Sequence, residues 1–163
     1  MRAAFILSFL ANVLLSLASL AILPERVAVH FGLGGAPDGW ASSQVSTLMM
    51  LGMHTLLFVG LSLSPNRLAK VPSKWISLPN RDYWLAPERR AQTMERLSRS
   101  MWHFGTALFL FMFFVGLLTI RANLSDPVRL DERSLLIALG VFLAYTAFWT
   151  VALLRAFRVS QSR

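Results

Sequence analysis

The chain has no cysteine. Disulfides, thiolate metal sites and thiol catalysis are therefore excluded. Acidic residues are scarce, eight Asp and Glu against sixteen Lys and Arg in 163 residues. Charge of either sign makes up 15% of the chain, where an average soluble domain carries about 25%. The deficit is local. Ala3–Leu23, Val45–Leu63, Met101–Ile120 and Ser134–Leu154 contain no Asp, Glu, Lys or Arg at all. Proton-coupled transporters usually place a carboxylate inside the membrane, so its absence from these runs counts against transport.

What fills the runs is apolar. Hydrophobic residues make up 55% of the chain and mean hydropathy is +0.55. A helix needs about 20 apolar residues to cross a bilayer, and each run meets that length. The sequence predicts an all-α membrane protein of one domain, residues 1–163, folded as a four-transmembrane-helix bundle. The spans fall at about 3–23, 45–63, 101–120 and 134–154. An ordered extracytoplasmic loop covers 24–44. A basic inner loop covers 64–100 and ends in a cytoplasmic amphipathic helix that leads into span three.

The net charge of +8 and pI near 11.5 are explained by topology, not by nucleic acid. With the N-terminus inside, the inner segments carry 12 basic residues and the outer ones 4. Cytoplasmic loops carry the excess of Lys and Arg, so both termini are expected in the cytoplasm. The basic inner loop suits anionic lipid headgroups. Ser16-Leu17-Ala18 resembles a signal-peptide cleavage site, but the apolar run exceeds the usual 7–15 residues. Span one is expected to remain as a helix.

Polar residues inside the spans are patterned. Ser8, Asn12, Ser16 and Ser19 recur at helical spacing on one face of span one. Thr47 and His54 share a face of span two. Without water such groups seek partners on neighbouring helices, and His54 is expected to meet Asn12 or a hydroxyl. An ionisable group at that depth is a functional candidate by default. Gly52 and Gly60 in span two, and Gly140, Ala144 and Ala147 in span four, suggest close helix packing.

The outer loop holds four glycines and two prolines between two apolar runs. Val27, Val29 and Phe31 alternate as on one side of a strand. Ala36-Pro37-Asp38-Gly39 carries a type I turn signature. Asp38 is expected to cap that turn, with His30 bonded to it or to a carbonyl. A metal needs three or four ligands, and only His30, Asp38 and Glu25 stand nearby, so no metal or other cofactor is assigned. In the inner loop Pro65, Pro72 and Pro79 disfavour a continuous helix. Pro87 and Glu88 suit a helix start, followed by Met94, Leu97 and Met101 opposite Arg89, Arg96 and Arg99. No nucleophile and base are spaced as a catalytic pair, and the protein is not expected to be an enzyme.

Two stretches, Leu23-Pro24…His30-Phe31…Gly35-Ala36-Pro37-Asp38-Gly39-Trp40 and Pro79-Asn80-Arg81-Asp82-Tyr83-Trp84-Leu85, resemble a bacterial integral-membrane family of unknown function. Its domain forms the N-terminal part of SdpI-type toxin-immunity and signalling proteins. The chain departs from that pattern at Ala28, Gly32 and Ser43, and lacks the extra spans of the longer immunity proteins. The resemblance implies a binding or sensor-type protein, in envelope stress response or immunity to a membrane-active peptide. His30, Phe31, Asp38, Gly39 and Trp40 are the candidates for ligand or partner binding. Arg81, Asp82, Tyr83 and Trp84 are candidates for docking on the inner side. Asn12 and His54 are the intramembrane polar candidates. Two other classes remain open: a small transporter or lipid-handling protein using the polar stripes, and a structural accessory subunit. Nothing in the sequence sets an oligomeric state.

Overall fold

The structure is a computed structural model and describes residues 1–62, 67 and 70–158. Leu63 at the end of expected span two, Pro65 in the inner loop and Arg163 in the tail lie outside the described residues. Among the described residues four helices are long and apolar enough to cross a bilayer. They are α1 (Arg2–Ile22), α2 (Ser43–Leu61), α4 (Pro87–Asn123) and α5 (Glu132–Ala156). A two-stranded antiparallel sheet, β1 (Arg26–Phe31) with β2 (Pro37–Ser42), connects α1 to α2. A single helical turn, α3 (Arg81–Trp84), precedes α4.

The helix ends follow from local chemistry. Leu23 is extended, at φ −90° and ψ 149°, as a residue before proline prefers, and α1 stops there. The Ser42 side chain accepts from the Val45 N–H and starts α2, the usual work of an N-cap serine. Pro87 begins α4 with Glu88 in its first turn. At 37 residues, α4 is roughly 55 Å long, well beyond the roughly 30 Å hydrocarbon core. Asp131 caps α5, accepting from both the N–H and the hydroxyl of Ser134. Those bonds hold its carboxyl below the usual pKa.

α1 packs chiefly against α4 and then α2, whereas α5 leans on α4 alone among the spans. The polar stripe of α1 faces inward. Ser8, Asn12, Ser16 and Ser19 are all buried while Leu7, Leu10, Leu14 and Leu17 are exposed, the reverse of a soluble helix. The serines satisfy themselves on their own helix, donating to Phe5, Asn12 and Ser16 carbonyls. Asn12 bridges helices: its amide donates to the Phe109 carbonyl of α4 and to that of Ser8, each at 2.8 Å. Beside it Phe5, Phe9, Phe58 and Phe109 form an aromatic cluster with centroids 4.2 to 5.7 Å apart. Gly105 makes room for the Phe5 ring, which any side chain there would strike.

The glycines expected to mediate packing do not. Gly52, Gly60 and Gly140 have no neighbour within 4 Å of where a Cβ would stand. Small size permits close approach, but the large residues beside these three stand outward and no second helix arrives. The close contacts fall instead at Gly105 and Gly116 of α4, against Phe5 and Leu15 of α1.

Candidate functional site

The hairpin reverses at Gly32–Gly35, not at Ala36–Gly39. Gly34 and Gly35 both have φ near +75°, a region L side chains avoid. The Gly32 N–H donates to the Ala36 carbonyl, and the Gly35 N–H to that of Gly32. Two adjacent glycines thus make the turn, and Pro37 to Gly39 continue as strand. Any side chain at Gly35 would also strike the Leu130 carbonyl.

Strand alternation fails for a related reason. The register slips between Ala28 and His30 and again between His30 and Phe31. Such bulges kink a strand and re-aim its side chains. Val27 and its neighbour Ala28 are therefore both buried, and Val29 is exposed. Asn123, at the end of α4, occupies the gap. Its side-chain oxygen accepts from the Ala28 N–H at 2.6 Å, and its amide donates to the Ala28 carbonyl at 3.0 Å. It also donates to the Thr119 carbonyl. One buried side chain thus bonds both backbone groups of Ala28, which is in register with Trp40.

The hairpin tip is gripped by the α4–α5 connection. Arg129 Nε donates to the Gly34 carbonyl at 2.9 Å, and the Gly34 N–H donates to Glu132 at 3.1 Å. The Leu130 N–H donates to the Gly35 carbonyl at 2.9 Å. Asn123, Arg129 and Glu132 were not among the candidates read from sequence. Their partners lie 95 to 98 residues away and are backbone atoms, which no side-chain motif reports.

Of the hairpin candidates, His30 and Asp38 come together across the strands. His30 Nδ1 pairs with Asp38 Oδ1, and both side chains are exposed. Asp38 therefore partners His30, not a turn of its own. An exposed pair contributes little stability. Gly39 lies opposite His30, where a Cβ would crowd the His30 Cβ at 2.9 Å. Phe31 is half-buried against Pro37 in the register. Trp40 is exposed, with the Arg26 guanidinium 5.2 Å from its ring centroid. Leu33 at the tip is 96% exposed. Among the described residues no group of three or more His, Cys, Asp or Glu is placed to hold a metal ion.

The intramembrane pair does not meet. Asn12 is committed to Phe109 and Ser8 carbonyls. His54 is buried, packs beside the Phe109 ring at 6.1 Å, and among the described residues has no hydrogen-bond partner for either ring nitrogen. The Met50 carbonyl one turn earlier lies near the ring but out of hydrogen-bond geometry.

At the opposite end Trp84 is used internally. Its indole N–H donates to the Phe157 carbonyl at 2.7 Å, and the two rings meet edge-on at 5.4 Å. The Asn80 amide donates to the same carbonyl. The Thr93 hydroxyl donates to the Trp84 carbonyl. Leu85 and Met94 form a small core with Ile76, Leu78 and Leu97. Arg81 pairs with exposed Asp82 at 3.2 Å, and Tyr83 lies under the Arg89 guanidinium at 4.0 Å. The docking set thus divides: Arg81, Asp82 and Tyr83 face outward, and Trp84 anchors the C-terminal end of α5.

A family model described as "Domain of unknown function (DUF1648)" matches residues 7–54. The match takes in α1 from its second turn, the whole hairpin and α2 as far as His54. No curated protein and no solved structure matches the chain.

Proposed function

We propose that this is a small multi-pass binding or sensor-type protein of a bacterial cytoplasmic membrane, without enzymatic activity. Both termini lie in the cytoplasm and the hairpin lies outside. The basic residues support that orientation, because residues 24–44 and 121–133 together carry 4 of them and the remaining segments 12, and the excess belongs inside. On the inner side Lys74, Arg81 and Arg96 engage anionic headgroups.

One observation carries the binding reading. The hairpin backbone is held by Asn123, Arg129 and Leu130, while the side chains of His30, Leu33, Asp38 and Trp40 are exposed. A rigid backbone under exposed side chains is a preorganised surface, which loses little entropy on binding. An exposed leucine and tryptophan beside an acid–base pair suit an amphipathic peptide. Immunity to a membrane-active peptide is the version that the likeness to SdpI-type proteins supplies.

The test is photo-crosslinking in membranes from a probe at position 40, with and without Asp38→Ala. A discrete peptide or protein adduct, lost in the variant, is the expected result. Lipid and self adducts alone, unchanged by the variant, contradict it.

A further inference from the structure

Beneath the hairpin a cavity of about 330 Å³ opens between α1, α2 and α4. His54 and Asn12 line one end of it, and Leu23 and Val29 of the hairpin arm line the other. From His54 to Ser46 along α2 is eight residues, roughly 12 Å. Most of the wall is apolar, with Leu15, Met50, Met53 and Met112 contributing. No Asp, Glu, Lys or Arg lines it.

The polar groups in the wall are specific. His54 is 4% exposed, and among the described residues neither ring nitrogen makes a hydrogen bond of good geometry, the Met50 carbonyl being nearest. Buried polar atoms are nearly always bonded, and an orphan calls for an explanation. A neutral imidazole has one donor and one acceptor. Ser16 and Ser19 spend their protons on the Asn12 and Ser16 carbonyls, so they retain acceptor capacity only. A hydroxyl both donates and accepts, so a single small neutral group of this kind suits both sets. A charged head has no counter-charge in this wall, and burying it unpaired is costly.

Size agrees. A cavity of about 150 Å³ holds one benzene, so this one takes roughly twice that bulk, drawn out along the helices. We propose that the cavity is a binding site for a neutral, single-chain lipid alcohol drawn from the bilayer, its hydroxyl on His54 and its chain against the methionines. The site is independent of partner recognition by the hairpin, although Val29 closes its outer end.

The probe is a photoreactive dodecanol, applied to the purified full chain in lipid nanodiscs and mapped by peptide mass spectrometry. Labelling is expected on the peptides of α1, α2 and α4 that hold Leu15, Met50, Met53 and Met112, and excess unlabelled dodecanol removes it. Dodecanoate at neutral pH competes at least about tenfold less well, the equivalent of one charge-matched contact. His54→Phe, which keeps a ring and removes both nitrogens, lowers labelling about tenfold. His54→Gln, which keeps a donor and an acceptor, retains most of it. In the wild-type chain alone, labelling spread over the outward faces of all four helices, α5 included, overturns the proposal as ordinary annular lipid. No competition by dodecanol, or equal competition by dodecanoate, overturns it as well. These wild-type readouts stand even where a His54 variant fails to fold.

Discussion

In the most apolar stretch of α1, 28% of the residues are buried inside the protein; in that of α5, none is. α1 is held along its length, by Asn12 to Phe109, by the phenylalanine cluster and by the fit of Phe5 over Gly105. α5 is held at its ends. Near its start Arg129, Leu130 and Glu132 clasp the hairpin tip. Just past its finish the Phe157 carbonyl takes the Trp84 and Asn80 donors. Between these ties the contacts are ring against ring, Phe104 with Trp149 and Phe111 with Phe142. The difference shows two ways to place a helix where apolar burial gives no preference for protein over lipid. One is polar and aromatic contact in the middle, and the other is tethering at the water-facing ends. The hairpin belongs to both, since it continues α1 and clasps α5.

The comparison breaks most sharply at Phe109, which is fully buried. Phe109→Ala is expected to destabilise the fold by about 3–5 kcal/mol, measured by unfolding in mixed micelles. Phe148→Ala on α5, where the ring is 73% exposed, is expected to change stability by less than about 0.5 kcal/mol. Phe109 belongs to α4 and holds α1 through Phe5, Phe9 and Asn12, so comparable losses at both sites would erase the distinction between how α1 and how α5 are held.

Asn123→Ala comes next. It leaves the buried N–H and carbonyl of Ala28 without partners, a loss of about 2–4 kcal/mol. Asn123→Asp keeps the acceptor and removes the donor, so it falls between the two. Trp84→Phe keeps the ring contact with Phe157 and loses the N–H bond, about 1 kcal/mol. Its effect is local: proteolysis or amide exchange near residues 150–158 speeds up while that of α1 is unchanged. The smallest effect belongs to Asp131. Its carboxyl is held below its ordinary value of 3.8 by Ser134. The stability it adds is complete above that value and is lost as pH falls through the lowered one. Acid titration of α5 fraying should show this dependence, and Asp131→Asn should abolish it.

The four spans were legible because bilayer thickness demands about 20 charge-free residues, and such runs hide poorly. The inward stripe of α1 was legible too, since Ser8, Asn12, Ser16 and Ser19 repeat at helical spacing. The hairpin was read only partly. The Pro37-Asp38-Gly39 signature suggested a turn, yet Gly34-Gly35 supplies two positive φ angles in succession and takes the reversal. His30 was expected on Asp38 or a carbonyl and takes Asp38, and Asp38 was wrongly given a turn to cap. Asn123 was invisible. Nothing near residue 123 announces a partner at residue 28, because the partner is backbone and its sequence is free. His54 stood out by depth, but its lack of any partner is a property of three helices together.

Held by Asn123 at Ala28, the hairpin is a rigid platform. Amide hydrogen exchange over residues 26–31, in nanodiscs, tests this most directly. Slow exchange in the wild-type chain, accelerated by orders of magnitude in Asn123→Ala while α1 stays protected, is the result expected. Exchange at the unfolded-chain rate in the wild type, unaltered by the substitution, would contradict it.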